Sequence, residues 1–158
     1  MTWQKEIVEQ TRVLIGDMDD SPTYSDSRLE RVVIIATNQV LQEIDFTHLY
    51  VVDISNQTIT PDPTEISPKD TNFINLVAMK VACVVLQAEL RKYALGSIMI
   101  TDGPSTISMG QIFSNIRKTH DTLMQEYGRA KFLYQCSIAG HAVTTPSTNT
   151  NVTPIQDF

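Results

Sequence analysis

The sequence predicts a mainly α protein: a helical bundle of about four helices with one or two small β-hairpins and an extended C-terminal tail. Most apolar residues recur at helical spacing, two short β-branched stretches flank turn-forming residues, and the last nineteen residues show no apolar periodicity. These observations place a bundle domain at 1–139 and an arm at 140–158. A chain of 158 residues is long enough to hold one core without metal or disulfide.

The first helix is predicted from Trp3 to Ile15, where Trp3, Ile7, Val8, Leu14 and Ile15 alternate with Glu6, Glu9 and Arg12 until Gly16 stops it. Asp17 to Tyr24 is an acidic turn. Ser25 then stands as an N-cap, with Asp26 at the positive end of a second helix reaching about Ile44. Its stripe is Leu29, Val32, Val33, Ala36, Val40 and Ile44. Ile34 and Ile35 fall off that stripe and are expected to form a partner surface. Tyr50 to Ile54 and Thr58 to Thr60 flank Ser55-Asn56-Gln57 as a hairpin that Pro61 and Pro63 close. Ser67-Pro68 supplies an N-cap and a first-turn proline for a central helix running to Tyr93 and closed by Gly96, with Phe73, Leu76, Val77, Val81, Val84 and Ala88 on its stripe. Ser97–Thr101 and Ser105–Ser108 around Asp102-Gly103-Pro104 predict a second hairpin. Ile112, Ile116, Leu123, Tyr127, Ala130 and Tyr134 then define a last helix ending at Gly140.

Charge divides the chain. Residues 1–66 carry a formal −8 and residues 67–158 a formal +2, which fits either a solvated acidic face or a subunit that packs head to tail on its own copies. No run of Lys or Arg exceeds two, which argues against tight duplex DNA binding. The N-terminus shows no export signal, and the longest apolar run is broken by Lys80, so no membrane association is expected. The arm has five threonines, two prolines and one formal charge, Asp157, yet ends in Ile155 and Phe158. Such a composition suits ordering against another chain, with Ile155 and Phe158 as anchors.

Catalytic chemistry finds little support. The Asp17–Asp20 cluster places Pro22 where a calcium loop needs glycine and Arg28 where it needs a bidentate Glu, so no metal is expected. His48, His120 and His141 have no second ligand at metal spacing, and His120 is read as solvated because adjacent helical residues do not face each other. Cys83 and Cys136 are read as small buried hydrophobes. Neither a nucleophile elbow, a P-loop nor a dinucleotide turn occurs, so the reading is of no enzyme and no cofactor. Arg91 and Lys92 are attributed to a helix C-terminal turn.

Trp3, the run Val13-Leu14-Ile15-Gly16-Asp17, and Tyr24-Ser25-Asp26 leading into Leu29-Glu30 resemble the opening of the head-to-tail connector (adaptor, or head completion) proteins of tailed bacteriophages. The long helix ended by Gly96, the Asp102-Gly103 turn with Ile107-Ser108, and the last helix are similar to the same family, so the resemblance covers about Trp3 to Tyr134. It implies a structural virion protein of the neck, made in the host cytoplasm. Such proteins form a ring, commonly of twelve copies, that joins portal to tail and leaves a channel for DNA. On that basis the arm docks on the portal through Thr144, Val152, Ile155 and Phe158, and ring contacts fall on Ile34, Ile35, Tyr50, Val52, Ile98 and Ile100. The alternative is a DNA-packaging accessory or regulatory helical protein binding nucleic acid through Arg117-Lys118 and Arg129–Lys131.

Overall fold

Gly16 fixes where the first helix stops and how the chain leaves it. The computed structural model describes the backbone of residues 2–97 and 106–143 and the side chains of 2–94 and 111–139. Helix α1 is Trp3–Ile15, and Gly16 follows at φ 73°, in the left-handed region open to glycine without a Cβ penalty. The amides of Gly16 and Asp17 donate back to the carbonyls of Val13 and Arg12 at 3.3 and 2.9 Å, closing the helix end. Trp3, Ile7 and Val8 are buried as expected, and so is Arg12.

Helix α2 is Asp26–Glu43. Ser25 occupies the N-cap position, but its hydroxyl makes no capping bond and lies 3.3 Å from the Ser27 hydroxyl instead. The buried arc is wider than one stripe, since α2 meets both α1 and α3. Ile34, expected on a partner surface, is therefore a core residue at 2% exposure, whereas Ile35 remains 52% exposed.

Strands β1 (Val51–Asp53) and β2 (Thr58–Thr60) pair antiparallel, with Val52 opposite Ile59. Asp53 orders the turn by accepting the amides of Ser55 and Asn56 at 2.9 and 3.0 Å. Side chains alternate across the ribbon, and the phase turns Tyr50 and Val52 inward while Leu49 and Val51 face out. Tyr50 stacks on Phe73 at 4.2 Å between centroids, so the expected ring contacts Tyr50 and Val52 are drawn to the core.

Helix α3 (Thr71–Ser97) is the central element, and α1, α2 and α4 all pack on it. Its N-cap is Asp70, not Ser67: one Asp70 oxygen accepts the Phe73 amide at 3.0 Å and the other accepts the Tyr50 hydroxyl at 2.8 Å. Gly96 does not end it; the helix continues to Ser97, so Arg91 and Lys92 lie short of its last turn. Val84 is half-buried and Ala88 exposed, but Ile74, Val85 and Leu86 join the buried set, as a helix covered on several sides requires. Among the described residues, Thr71–Ala94 has the length and hydropathy of a membrane span, and 61% of its eighteen-residue apolar window is buried by the bundle, as in the core helix of a helical domain.

Helix α4 is Thr106–Val143, 38 residues and roughly 57 Å long. It begins six residues before the expected Ile112 and absorbs Thr106–Ser108, which were expected as a strand; the other flank, Ser97, is helical too. Residues 98–105, with Ile98 and Ile100, lie outside the described residues. The helix passes Gly140, because one glycine costs only about 1 kcal/mol against the surrounding helix formers. Thr144, Val152, Ile155 and Phe158 also lie outside the described residues. Among the described residues the chain is thus a mainly α bundle with one small hairpin.

Candidate docking surface

Two charge clusters, one centred on buried Arg12 and Asp17 and one on half-buried Glu43, tie together the helices that frame the surface. Arg12 reaches from α1 across the turn: Nη1 donates to Asp17 at 2.7 Å, and Nη2 donates to the Tyr24 carbonyl at 2.8 Å and to Asp26 at the start of α2. Asp17 also accepts the amides of Thr23 and Tyr24, so the acidic turn is organised around one carboxylate that the chain itself satisfies. The remaining acids, Asp19 and Asp20, are exposed. Among the described residues no group of three or more His, Cys, Asp or Glu converges on a metal position.

Glu43, the last residue of α2, is the second cluster. Lys80 of α3 donates to it at 2.7 Å, and Tyr127 and Lys131 of α4 donate at 2.9 and 3.3 Å. Burial disfavours the Glu43 charge, yet the hydrogen bonds from Lys80 and Tyr127 and the Lys80 charge outweigh it and hold the carboxyl below its ordinary value of 4.5. Burial and the Glu43 acceptor push the Tyr127 phenol upward, and burial pushes the Cys83 thiol up to about 11. A thiol held protonated in this way is a packing group.

The same framework leaves two adjoining hollows on one face. The first, about 280 Å³, lies between α1 and α3 and is lined by Gln10, Val13, Leu14, Asn75, Ala78 and Met79. The second, about 410 Å³, lies between α3 and α4, shares Asn75 and Met79, and extends to Ala130, Leu133 and Tyr134. Neither lining contains a charged side chain. Val13 on one rim is 62% exposed and Leu133 on the other 56%. An apolar face with a few amide and hydroxyl groups at its edge suits a protein segment better than a small polar substrate.

The expected contact residues divide. Ile35 is on the surface, as are Leu49, Val51 and Ile54 around the hairpin, whereas Ile34, Tyr50 and Val52 serve the interior. The sequence places Leu14 on the inner stripe, Val13 only in the run that resembles connector proteins and the 64% exposed Phe132 only beside the basic residues of α4, and marks neither Met79 nor Leu133 as a contact residue. The available signal for Val13, Leu133 and Phe132 was an apolar residue out of phase with its helix's buried stripe. Cys136 is exposed, not buried, because it faces away from α3. His120 does meet its neighbour: Nδ1 lies 3.1 Å from Asp121, since the imidazole is long enough to swing across the angle between adjacent residues. Of the basic residues on α4, Lys131 is engaged by Glu43 and Arg117 lies 3.8 Å from Asp121.

Compared with protein-family models, curated proteins and solved structures, the chain matches none.

Proposed function

We propose that this chain is a non-catalytic connector subunit of a tailed-phage virion, forming a ring between portal and tail and leaving a channel for DNA. The observation that carries the reading is the uncharged double hollow rimmed by exposed Val13 and Leu133, together with exposed Phe132 on the other side of α4, surfaces suited to contact with protein. The resemblance of Trp3, the run from Val13 to Asp17 and the run from Tyr24 to Glu30 to connector proteins supplies the assembly in which that contact would serve. A −8 formal charge on residues 1–66 is compatible with DNA sliding past without adhering. The arm, whose first residues 140–143 belong to α4 so that 144–158 follow the helix, is assigned to the portal and the ring to the virion neck.

Mass measurement after co-expression with a portal protein from the same genome tests the proposal. A complex with many copies of this chain per portal ring is expected. Absence of any portal-bound species, with both proteins folded, overturns it. The nucleic-acid alternative predicts duplex binding that weakens steeply with salt; of its four basic residues on α4, Lys131 is already engaged by Glu43.

A further inference from the structure

The residues of α4 that line the larger hollow are Ala130, Leu133, Tyr134 and Ser137, and Phe132 lies about 150° around the helix axis from their mean direction. One side of the molecule is thus concave and apolar, while the opposite side of α4 presents an aromatic ring at 64% exposure. Charge follows the same division. Glu9 stands one helical turn before Val13 on the rim of the α1–α3 hollow, and Arg129 stands one turn before Phe132; both are exposed, and neither forms a salt bridge among the described residues.

We propose that Phe132 of one copy seats in the α1–α3 hollow of the next copy, over Ala78 and Met79, with Arg129 brought against Glu9. The inference rests on the ring reading and names its repeating contact. Because donor and acceptor surfaces are different and lie on opposite sides, each copy offers both at once, and the contact propagates head to tail until rotation closes it. A buried aromatic beside an arginine has the composition of a contact centre, and the hollow, lacking charge, lets the ring enter without desolvating an ion.

Sedimentation velocity of the full chain at low salt, over a range of concentrations, is the test. The wild type is expected to grow in mass with concentration. Phe132→Asp shifts the onset to at least about tenfold higher concentration, as does Arg129→Glu, and Glu9→Arg combined with Arg129→Glu restores it. Both positions are exposed, so near-identical circular dichroism should accompany these shifts, and Phe132→Ala provides a milder second variant. A wild type that stays monomeric to about 1 mM, or self-association indifferent to Phe132→Asp, overturns the proposal. Association lost on removing residues 144–158 but not with Phe132→Asp also overturns it and gives the hollow to the arm. Self-association through Phe132 without portal binding leaves this contact standing and removes the portal reading, and portal binding by a strictly monomeric chain does the reverse.

Discussion

At the scale of single residues, Arg12 and Glu43 do most to determine how the helices meet. Arg12 is buried against Asp17, and removing Arg12 leaves that buried carboxylate with only the amides of Thr23 and Tyr24 to hold its charge. Arg12→Ala is expected to lower unfolding free energy by about 3 kcal/mol in urea titrations. Arg12→Met with Asp17→Asn should recover part of that loss, since no lone charge then stays buried. Glu43 gives a pH signature. Its carboxyl is held below 4.5 in the folded state, so its contribution is fully present above that value and is lost as pH falls through the lower folded value. The stability gap between wild type and Glu43→Gln should therefore be constant near neutrality and close below about pH 4.5. A gap that widened in acid would contradict the assignment. Neither residue was legible in the sequence: Arg12 looked like a polar member of an amphipathic helix, and the partners of Glu43 lie 37, 84 and 88 positions away.

At the scale of elements, periodicity identified what it physically encodes. The stripes Trp3–Ile7–Val8, Leu29–Val33–Val40 and Phe73–Val77–Val81 are buried because a helix repeats its inward face every three to four residues. Termini were harder to read, since they depend on which side chain reaches an amide: Asp70 outcompeted Ser67 by serving the Phe73 amide and the Tyr50 hydroxyl together. Glycine was an uneven guide: Gly16 stops its helix as expected, but α3 runs past Gly96 and α4 past Gly140. Gly16 ends α1 because it enters the left-handed region, whereas Gly128 is merely a weak residue inside α4. A Cβ at Gly128 would meet nothing within 4 Å, so Gly128→Ala is expected to stabilise the chain by about 0.5–1 kcal/mol. Thermal melting should register this as a rise of roughly 2–3 °C. The hollows were not legible, since a groove arises between helices and leaves no pattern within any one of them.

At the scale of the whole molecule, the proposed connector role separates folding from attachment. Removing residues 144–158 is expected to leave the helical circular dichroism intact and to abolish capture by the portal. A truncated chain that still co-purifies with portal would remove the arm from the interface. The layout also orders the making of the protein. Arg12 finds its partners 5, 12 and 14 residues ahead, so the α1–α2 corner closes on itself early, while Glu43 waits for Tyr127 and Lys131 to be synthesised. Helix α4 comes last, and most of its side chains between 111 and 139 are exposed whereas α3 is the buried centre of the bundle, so α4 is expected to open more readily than α3. Amide hydrogen exchange should record this as α4 trading its protons for deuterons sooner than α3. If so, the core stays shut while the final helix breathes, and in the proposed ring that would leave the outer surface free to adjust as further copies arrive.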